Sequence, residues 1–232
     1  MSSRPITTLF MLMSADGKIS TGDNDSLDMD QDFPKIDGIK EGLHQYYEIE
    51  ETTDLWSFNT GRVQAKVGAN ERNLSDHHWN VSFVILDNHH LNEHGIEYFC
   101  SISKNFVLFT SKFDHPAYRV NQENLHIEHY DSLNLKKMLE TLKEKYGCAK
   151  LTVQSGGTLN SLFLREHLFD YADLVVAPVL VGGKDTSSLI DGESLHRTDQ
   201  MSDLGVLKLI EAEPLKDSYL RLHYQIMNAE ND

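Results

Sequence analysis

The sequence has few cysteines, few basic residues and no long apolar run, and each shortage excludes a class of protein. Only Cys100 and Cys148 are present, and they lack the C-x-x-C spacing of redox and zinc motifs. Reduced thiols in a cytoplasmic protein are therefore expected rather than a disulfide. No apolar run approaches the roughly 20 residues that a membrane-spanning helix requires, so we expect no membrane partner.

The shortage of positive charge excludes a further class. Lys and Arg number 21 against 36 Asp and Glu, which gives a formal net charge of −15 at pH 7. Nucleic-acid-binding proteins normally present a basic face, so we expect no nucleic-acid partner. An anionic small molecule can still bind, but backbone N–H groups and a few basic side chains must hold it against an unfavourable overall field.

The length and the order of the apolar runs predict the fold class. A chain of 232 residues without repeats or a Pro/Ser-rich linker favours a single domain over 1–232. Apolar runs alternate with segments of helical spacing, and two alternating segments near the C-terminal end predict an antiparallel hairpin. The sequence therefore predicts an α/β sandwich with a mostly parallel sheet. The predicted strands include 6–13, 54–58, 81–86, 106–109, 125–130, 206–212 and 219–227, and the predicted helices include 38–50 (with Asp37 as N-cap), 91–102 and 133–146.

The most informative segment is 150–184, KLTVQSGGTLNSLFLREHLFDYADLVVAPVLVGGK, in which two buried strands flank a Gly-Gly turn and a helix. The second of these strands is expected to include Leu180. Gly156 and Gly157 allow the backbone to approach a ligand closely, and the N–H groups of the following helix favour a phosphate. The alternative is a tight strand-to-helix turn that binds nothing. Because neither a G-x-G-x-x-G fingerprint nor a P-loop is present, a standard Rossmann domain and an NTPase are excluded.

Other polar or glycine residues come directly after predicted strands. Ser14, Gly61 and Asn88 do so, as does Gly156. Because the carboxyl ends of parallel strands line the binding crevice of an α/β sheet, we expect these residues to converge. Arg62 could add a planar guanidinium group for a phosphate, although an exposed Arg after a strand is the commoner case.

The 12 histidines raise the question of a metal site. His90 and His94 have the i, i+4 spacing of two ligands on one helix face, and His77 and His78 lie nearby. The chain has no H-E-x-x-H motif, and histidine-rich surface loops are common. We therefore predict no metal.

Four segments together carry a family resemblance: FMLMSADGKIS, NTGRV, VILDN and, most specifically, VQSGGTLNSLFLREHLFDYADLVVAPVLVGG. They resemble the reductase domain of riboflavin biosynthesis, the RibD C-terminal family, over about residues 5–226. The resemblance implies a dihydrofolate reductase-like three-layer sandwich and an NADPH-dependent reductase, commonly a homodimer. In that family a hydride reduces the ribosyl C1′ of a ribosylaminopyrimidine phosphate. The zinc deaminase motifs of the family's bifunctional members are absent, so a stand-alone reductase domain is expected.

The resemblance also implies roles for individual residues. Met13 and the loop from Ser14 to Lys18 would lie beside the nicotinamide. Asp16 and Lys18 are the candidates for the polar side chains that assist the reaction near the reacting carbon. The same Asp-Gly-Lys sequence is, however, also an ordinary turn. The other implied cofactor contacts are Gly61 and Arg62 at the adenosine phosphate, Asn88 at the adenosine end, and Ser155, Gly156, Gly157, Thr158 and Leu159 at the pyrophosphate.

Two departures from the family pattern concern the substrate. Gln154, the implied substrate contact, stands where the riboflavin enzymes commonly have Glu. The segment 41–54 lacks the Arg that would bind the substrate phosphate and offers Glu48, Glu50 and Glu51 instead. The alternatives are therefore a family reductase with a different substrate and a non-catalytic nucleotide-binding protein. A true dihydrofolate reductase is disfavoured, because no carboxylate is placed on the first helix to protonate a pterin. The choice between NADPH and NADH stays open.

Overall fold

The computed structural model describes residues 3–227, which form an α/β structure. The strands are β1 (Ile6–Ser14), β2 (Trp56–Thr60), β3 (Ser82–Leu86), β4 (Phe106–Thr110), β5 (Leu125–His129), β6 (Lys150–Val153), β7 (Tyr171–Ala177), β8 (Val206–Pro214) and β9 (Leu220–Met227). The α-helices are α1 (Met29–Asp32), α2 (His44–Glu50), α3 (Gly61–Lys66), α4 (Glu93–Ile102), α5 (Leu135–Tyr146) and α6 (Gly157–Arg165). No helix within residues 3–227 is long and apolar enough to cross a membrane.

Contacts divide the chain into two compact units. The first unit contains Asp54–Ser155 together with the described residues before Ile6. The second unit contains Ile6–Thr53 and the described residues from Gly156 onwards. The single domain over 1–232 stays a prediction.

The first unit is built on five parallel strands in the order β5-β4-β3-β2-β6. All five residues of β4 are buried, as expected for a parallel strand that is covered on both faces. Helix α4 packs on this sheet with Phe99, whose ring centroid lies 5.2 Å from that of Phe106. Ile85, Ile96 and Leu108 belong to the same buried cluster.

In the second unit, β1 and β7 are parallel, and β9 and then β8 add to β7 in antiparallel fashion. The core contains Phe10 and Tyr46, whose rings stack with centroids 5.1 Å apart, together with the buried Phe33 and Tyr219. The predicted fold class is therefore confirmed: the structure is α/β, with mostly parallel strands and an antiparallel C-terminal hairpin.

Several predicted boundaries in the second unit were wrong. The helix predicted over 38–50 begins at His44, because turns occupy the preceding residues and Gly38 has a φ of 85°. Asp37 is not the N-cap and instead forms an ion pair with Lys40. Leu180 lies outside β7 and is 76% exposed, since the strand ends before Pro178, which has no N–H for the ladder.

Two short helices were missed. Helix α1 lies in a polar stretch that reads as a loop, and its N-cap Asp28 accepts a hydrogen bond from Asp30 N at 2.9 Å. Helix α3 begins at Gly61, directly after β2, and Thr60 is its N-cap. Both helices are too short for their apolar periodicity to be visible in the sequence.

Candidate functional site

The predicted site residues fall into both units. Met13, Ser14, Asp16 and Lys18, together with 156–159, belong to the second unit. The first unit contains Gly61, Arg62, Asn88, Gln154 and Ser155. Contacts within each unit bring some of these residues together, and the convergence of all of them on one crevice stays a prediction.

The loop that follows β1 is closed by its own side chains. Ser14 is buried, and its Oγ donates to Asp16 Oδ1 at 2.5 Å while accepting from Lys18 N at 2.8 Å. Gly17 turns the chain with a φ of 78°. Lys18 Nζ donates to Thr186 O at 2.7 Å. Met13 precedes this loop and is half-buried. The polar groups of the loop are thus held in place by other parts of the second unit.

The Asp16 carboxylate anchors the second Gly-Gly turn of the sequence. Its Oδ1 accepts from Val181 N at 3.0 Å and its Oδ2 accepts from Gly182 N at 2.6 Å. The hydrogen bond from Ser14, followed by the two amide hydrogen bonds, lowers the pKa of Asp16 to about 2. At neutral pH this group is therefore an acceptor with no proton to give. The geometry gives Asp16 an anchoring role, and its catalytic role stays a prediction.

We expect the Ser14→Ala substitution to raise the pKa of Asp16 towards its ordinary value of 3.8, because the Ser14 hydroxyl is the largest cause of the lowering. Since the folded-state pKa lies below 3.8, this carboxylate adds stability above that pH, and the added stability is lost as the pH falls towards 2. A carbon-13 NMR titration of the Asp16 carboxyl group measures the pKa directly. Ser26→Ala, in an exposed loop of the same unit, is the control and should leave it unchanged. An equal Asp16 pKa in Ser14→Ala and Ser26→Ala would contradict the hydrogen-bond assignment.

The two glycines of the Gly-Gly turn before α6 differ in the space around them. Gly156 is the N-cap, and a Cβ atom added to it would meet nothing within 4 Å. A Cβ atom on Gly157 would lie 2.2 Å from Ser188 O and 2.5 Å from Asp191 Oδ2. Gly157 therefore makes room for the protein's own segment 188–191, and only Gly156 has the open space that the hypothesis of close ligand approach requires.

Segment 188–191 covers one side of the first turn of α6. Asp191 N donates to Gly157 O at 3.0 Å, and Asn160 Nδ2 donates to Leu189 O at 2.9 Å. The segment is itself held by Ser188 Oγ, which donates to Asp191 Oδ1 at 2.5 Å. Thr158 is exposed on this turn and Leu159 is half-buried. Sequence reasoning missed this segment, because four residues are too few to show a periodicity.

In the first unit, the turn between β2 and α3 packs against a carboxylate. Thr60 caps the helix by accepting a 3.4 Å hydrogen bond from Val63 N. Gly61 is buried, and a Cβ atom there would lie 2.2 Å from Asp87 Cγ. Arg62 follows on the first turn of α3 and is exposed. A glycine is thus required at 61 because Asp87 occupies the space of its side chain.

Asn88 joins the ends of three neighbouring strands. Its Oδ1 accepts from Ser111 N at 2.8 Å and from the hydroxyls of Ser111 and Thr110 at 3.0 and 3.1 Å. Its Nδ2 donates to Tyr130 Oη at 3.3 Å. Asn88 therefore has a structural role at the carboxyl ends of β3, β4 and β5, and its contact with a cofactor stays a prediction.

Asp87 is the residue that sequence reasoning missed. Its buried carboxylate accepts from Leu91 N at 2.9 Å, from His90 N at 3.0 Å and from His115 Nε2 at 3.0 Å. Burial favours a higher pKa, but the hydrogen bonds from His115, Leu91 and His90 outweigh it and hold the pKa of Asp87 well below its usual range. An acidic residue at the end of a buried strand was the available signal. No sequence signal pointed to His115, since it lies in a polar loop after the next strand.

Gln154 and Ser155 follow β6. Gln154 N donates to Phe58 O at 2.9 Å, and Gln154 Oε1 accepts from Ser57 Oγ at 3.2 Å. Gln154 is half-buried and Ser155 is buried. The contacts fix Gln154 against β2, and its contact with a substrate stays a prediction.

The histidines considered for a metal have other partners. His90 Nδ1 lies 3.0 Å from Asp87 Oδ1, and His94 Nε2 lies 2.8 Å from Arg72 O. Within the described residues, no three His, Cys, Asp or Glu side chains are grouped so that they could hold a metal ion. Cys100 and Cys148 are free and buried, and burial raises the pKa of each thiol to about 12.

Comparison with known proteins assigns the chain to a family. The family model of the RibD C-terminal domain matches residues 5–215. A 2,5-diamino-6-ribosylamino-4(3H)-pyrimidinone 5′-phosphate reductase of Methanothermobacter thermautotrophicus is 36% identical over 77 residues, which are 33% of this chain and 34% of that protein. The chain thus matches about a third of the length of its curated relatives.

Solved structures show the same fold. RibD of Acinetobacter baumannii has a TM-score of 0.69 at 16% identity, over 98% of this chain and 59% of that one. The riboflavin biosynthesis reductase Rib7 of Saccharomyces cerevisiae has a TM-score of 0.61 at 12% identity, over 98% of this chain and 92% of that one. At these identities the likeness shows the fold alone, whereas the family model covers most of the sequence. The chain belongs to the RibD C-terminal domain family.

Proposed function

We propose that this protein is an NADPH-dependent reductase of the riboflavin-biosynthesis type, which reduces a ribosylaminopyrimidine phosphate or a related small molecule. The observation that carries the proposal is the match of the RibD C-terminal domain over residues 5–215. The archaeal relative, which is named a pyrimidinone phosphate reductase, supports the reaction class.

The structure offers one feature that fits the pyrophosphate of such a cofactor. Gly156 opens helix α6 with free space where a side chain would project, and the first N–H groups of a helix have no partner within the helix. We assign the pyrophosphate to this turn, with Gly157, Thr158 and Leu159, and with Ser155 before it. Arg62 and Gly61 would hold the adenosine phosphate, and Asn88 would lie at the adenosine end.

The remaining residues would orient the reactants. NADPH supplies the hydride when bound, so the chain's own task is to bind, orient and exclude water. Met13 and the loop from Ser14 to Lys18 would position the nicotinamide. Of the two residues assigned to catalysis, Asp16 is ionised and would act by holding the loop, whereas Lys18 has an ammonium group that can donate. Gln154 would contact the substrate.

Thermal unfolding tests the cofactor assignment. NADPH at about 100 times its dissociation constant should raise the melting temperature by about 5 to 10 °C, since a ligand that binds only the native state stabilises by mass action. NADH, which lacks the 2′-phosphate, is the matched comparison. If Arg62 contacts the 2′-phosphate, Arg62→Ala should reduce the difference between the melting-temperature increases that NADPH and NADH produce. An unchanged melting temperature with both nucleotides would refute the cofactor proposal.

Turnover tests the substrate separately. The expected result is NADPH oxidation that depends on the added ribosylaminopyrimidine phosphate. Binding of NADPH without this turnover would retain the family cofactor and reject the riboflavin substrate. The acidic residues Glu50 and Glu51, where the substrate phosphate would need a cation, favour a different substrate as the second candidate.

We also propose a homodimer in the cytosol. The free, buried thiols of Cys100 and Cys148 support the location. Strand β8 supports the dimer: it is the last strand beside β9, all nine of its residues are exposed, and four of them are large and apolar. An exposed apolar edge strand is a ready template for pairing with another chain.

The charged double variant Leu209→Lys/Ile210→Lys should therefore be monomeric. Both side chains are more than half exposed, so their replacement has little effect on the folding of a monomer but places charges in the proposed interface. Light scattering should give twice the 26.5 kDa chain mass for the wild type and 26.5 kDa for the variant. Phe113→Lys, at an exposed apolar residue of the first unit, should leave the dimer intact. A wild type that is monomeric at micromolar concentration would reject the dimer.

A further inference from the structure

One buried carboxylate joins three segments of the first unit. Asp87 directly follows strand β3 and accepts hydrogen bonds from the amides of His90 and Leu91 in the loop towards α4. It also accepts from His115, which lies in the loop after β4. On its other side it packs against Gly61, at the start of α3. The side chains of both Asp87 and His115 are fully buried.

The orientation of His115 is fixed from both sides of its ring. Its Nδ1 accepts from Ala117 N at 3.1 Å, so that nitrogen carries no hydrogen. Its Nε2 therefore carries the hydrogen and donates to Asp87 Oδ2. The loop 111–115 is thus held at its first residue by Asn88 and at its last residue by Asp87.

The same carboxylate sets the start of α3. Because the added Cβ of Gly61 would lie 2.2 Å from Asp87 Cγ and 2.4 Å from Asp87 Oδ1, the backbone of this turn is in direct contact with the carboxylate. Arg62 is the next residue along the chain. A displacement of the carboxylate therefore releases both the turn that carries Arg62 and the loop that carries Asn88.

We propose that Asp87 and His115 are a positioning pair for dinucleotide binding, which fixes Arg62 and Asn88 without touching the ligand. The inference rests on the proposed function, in which these two residues hold the adenosine phosphate side of NADPH. The pair sets the affinity for the cofactor and takes no part in the reduction step.

The test compares two histidine replacements and one carboxylate replacement. Asp87→Asn removes the charge that accepts the hydrogen bonds of His90, Leu91 and His115, and it should raise the KM for NADPH about tenfold, with kcat within about twofold. His115→Asn places its amide where Nδ1 was and cannot reach Asp87, so it should raise KM in the same way. His115→Gln places its amide where Nε2 was and should restore the KM to within about threefold of the wild type.

Leu139→Ala controls for simple loss of stability. Leu139 is buried on α5 in the same unit, so this variant should lower the melting temperature and leave the KM for NADPH unchanged. If Asp87→Asn does not fold, the KM values of His115→Gln and His115→Asn still test the proposed role of the pair.

Three outcomes overturn the inference. The first is that Asp87→Asn or His115→Asn lowers the melting temperature as Leu139→Ala does and leaves the KM unchanged. The second is that His115→Gln and His115→Asn raise KM equally. The third is that the wild-type protein does not bind NADPH, which also refutes the proposed function, whereas the first two leave that function standing.

Discussion

Gly157→Ala is expected to lower the free energy of unfolding by about 3 kcal/mol, because the new methyl group has no space. It would lie 2.2 Å from the backbone oxygen of Ser188 and 2.5 Å from Asp191 Oδ2. Helix propensity alone predicts the opposite sign, since Ala is more favourable than Gly in a helix by about 1 kcal/mol. The clash dominates because a carbonyl oxygen held in a hydrogen-bonded segment cannot rotate away as a side chain can.

Gly156→Ala is the matched control for stability. Its φ of −71° suits any residue and its added methyl group meets nothing within 4 Å, so the loss should be below about 1 kcal/mol, the difference between Gly and Ala at an N-cap. Urea denaturation monitored by circular dichroism measures both changes. If Gly157→Ala were as stable as the wild type, segment 188–191 would not pack against α6 as described.

The same pair of variants separates the two roles of the Gly-Gly turn. Gly156→Ala should weaken NADPH binding while the melting temperature stays near that of the wild type, because its methyl group enters the space assigned to the pyrophosphate. If Gly156→Ala bound NADPH as tightly as the wild type, the assignment of the pyrophosphate to this turn would be wrong. We therefore expect the stability of the fold to depend on Gly157 and the affinity for NADPH to depend on Gly156.

The strands of this fold are readable from the sequence because parallel strands are buried on both faces. A strand that is buried in this way gives a continuous apolar run, as FVLF does at 106–109, and the structure places β4 at Phe106–Thr110. The long helix α5 was predicted for a similar reason, since Leu135, Met138, Leu139 and Leu142 repeat at helical spacing and are buried. The short helices α1 and α3 span four and six residues, which is too few for any periodicity.

The site was readable only in part. Glycines and polar residues after apolar runs marked turns at the carboxyl ends of strands, where the binding crevice of an α/β sheet lies, and the binding of a ligand there stays a prediction. The sequence could not predict which residues fill the space that a side chain would take at these glycines. Asp87 fills it at Gly61, and Ser188 and Asp191 fill it at Gly157. These contacts join residues far apart in the chain, and no local pattern encodes them.

Arg221→Met is expected to lower the free energy of unfolding by about 2 to 3 kcal/mol at neutral pH. Arg221 on β9 makes a bidentate ion pair with Asp173 on β7, with Nε to Oδ1 at 2.9 Å and Nη2 to Oδ2 at 2.6 Å. The Asp173 side chain is only 9% exposed, so removal of the guanidinium leaves a nearly buried carboxylate. His223, whose Nδ1 is 3.8 Å from Asp173 Oδ2, is too distant to replace it.

The double variant Asp173→Leu/Arg221→Met shows whether the loss comes from the unpaired charge. Replacement of both partners by apolar groups should restore most of the stability, because no charge is then left buried. Arg197→Met is the exposed control: Arg197 and Asp199 are 72% and 69% exposed, and their ion pair should contribute less than about 1 kcal/mol. Urea denaturation of the four proteins gives the comparison. Equal losses for Arg221→Met and Arg197→Met would mean that the ion pair between β7 and β9 is as weak as a surface pair.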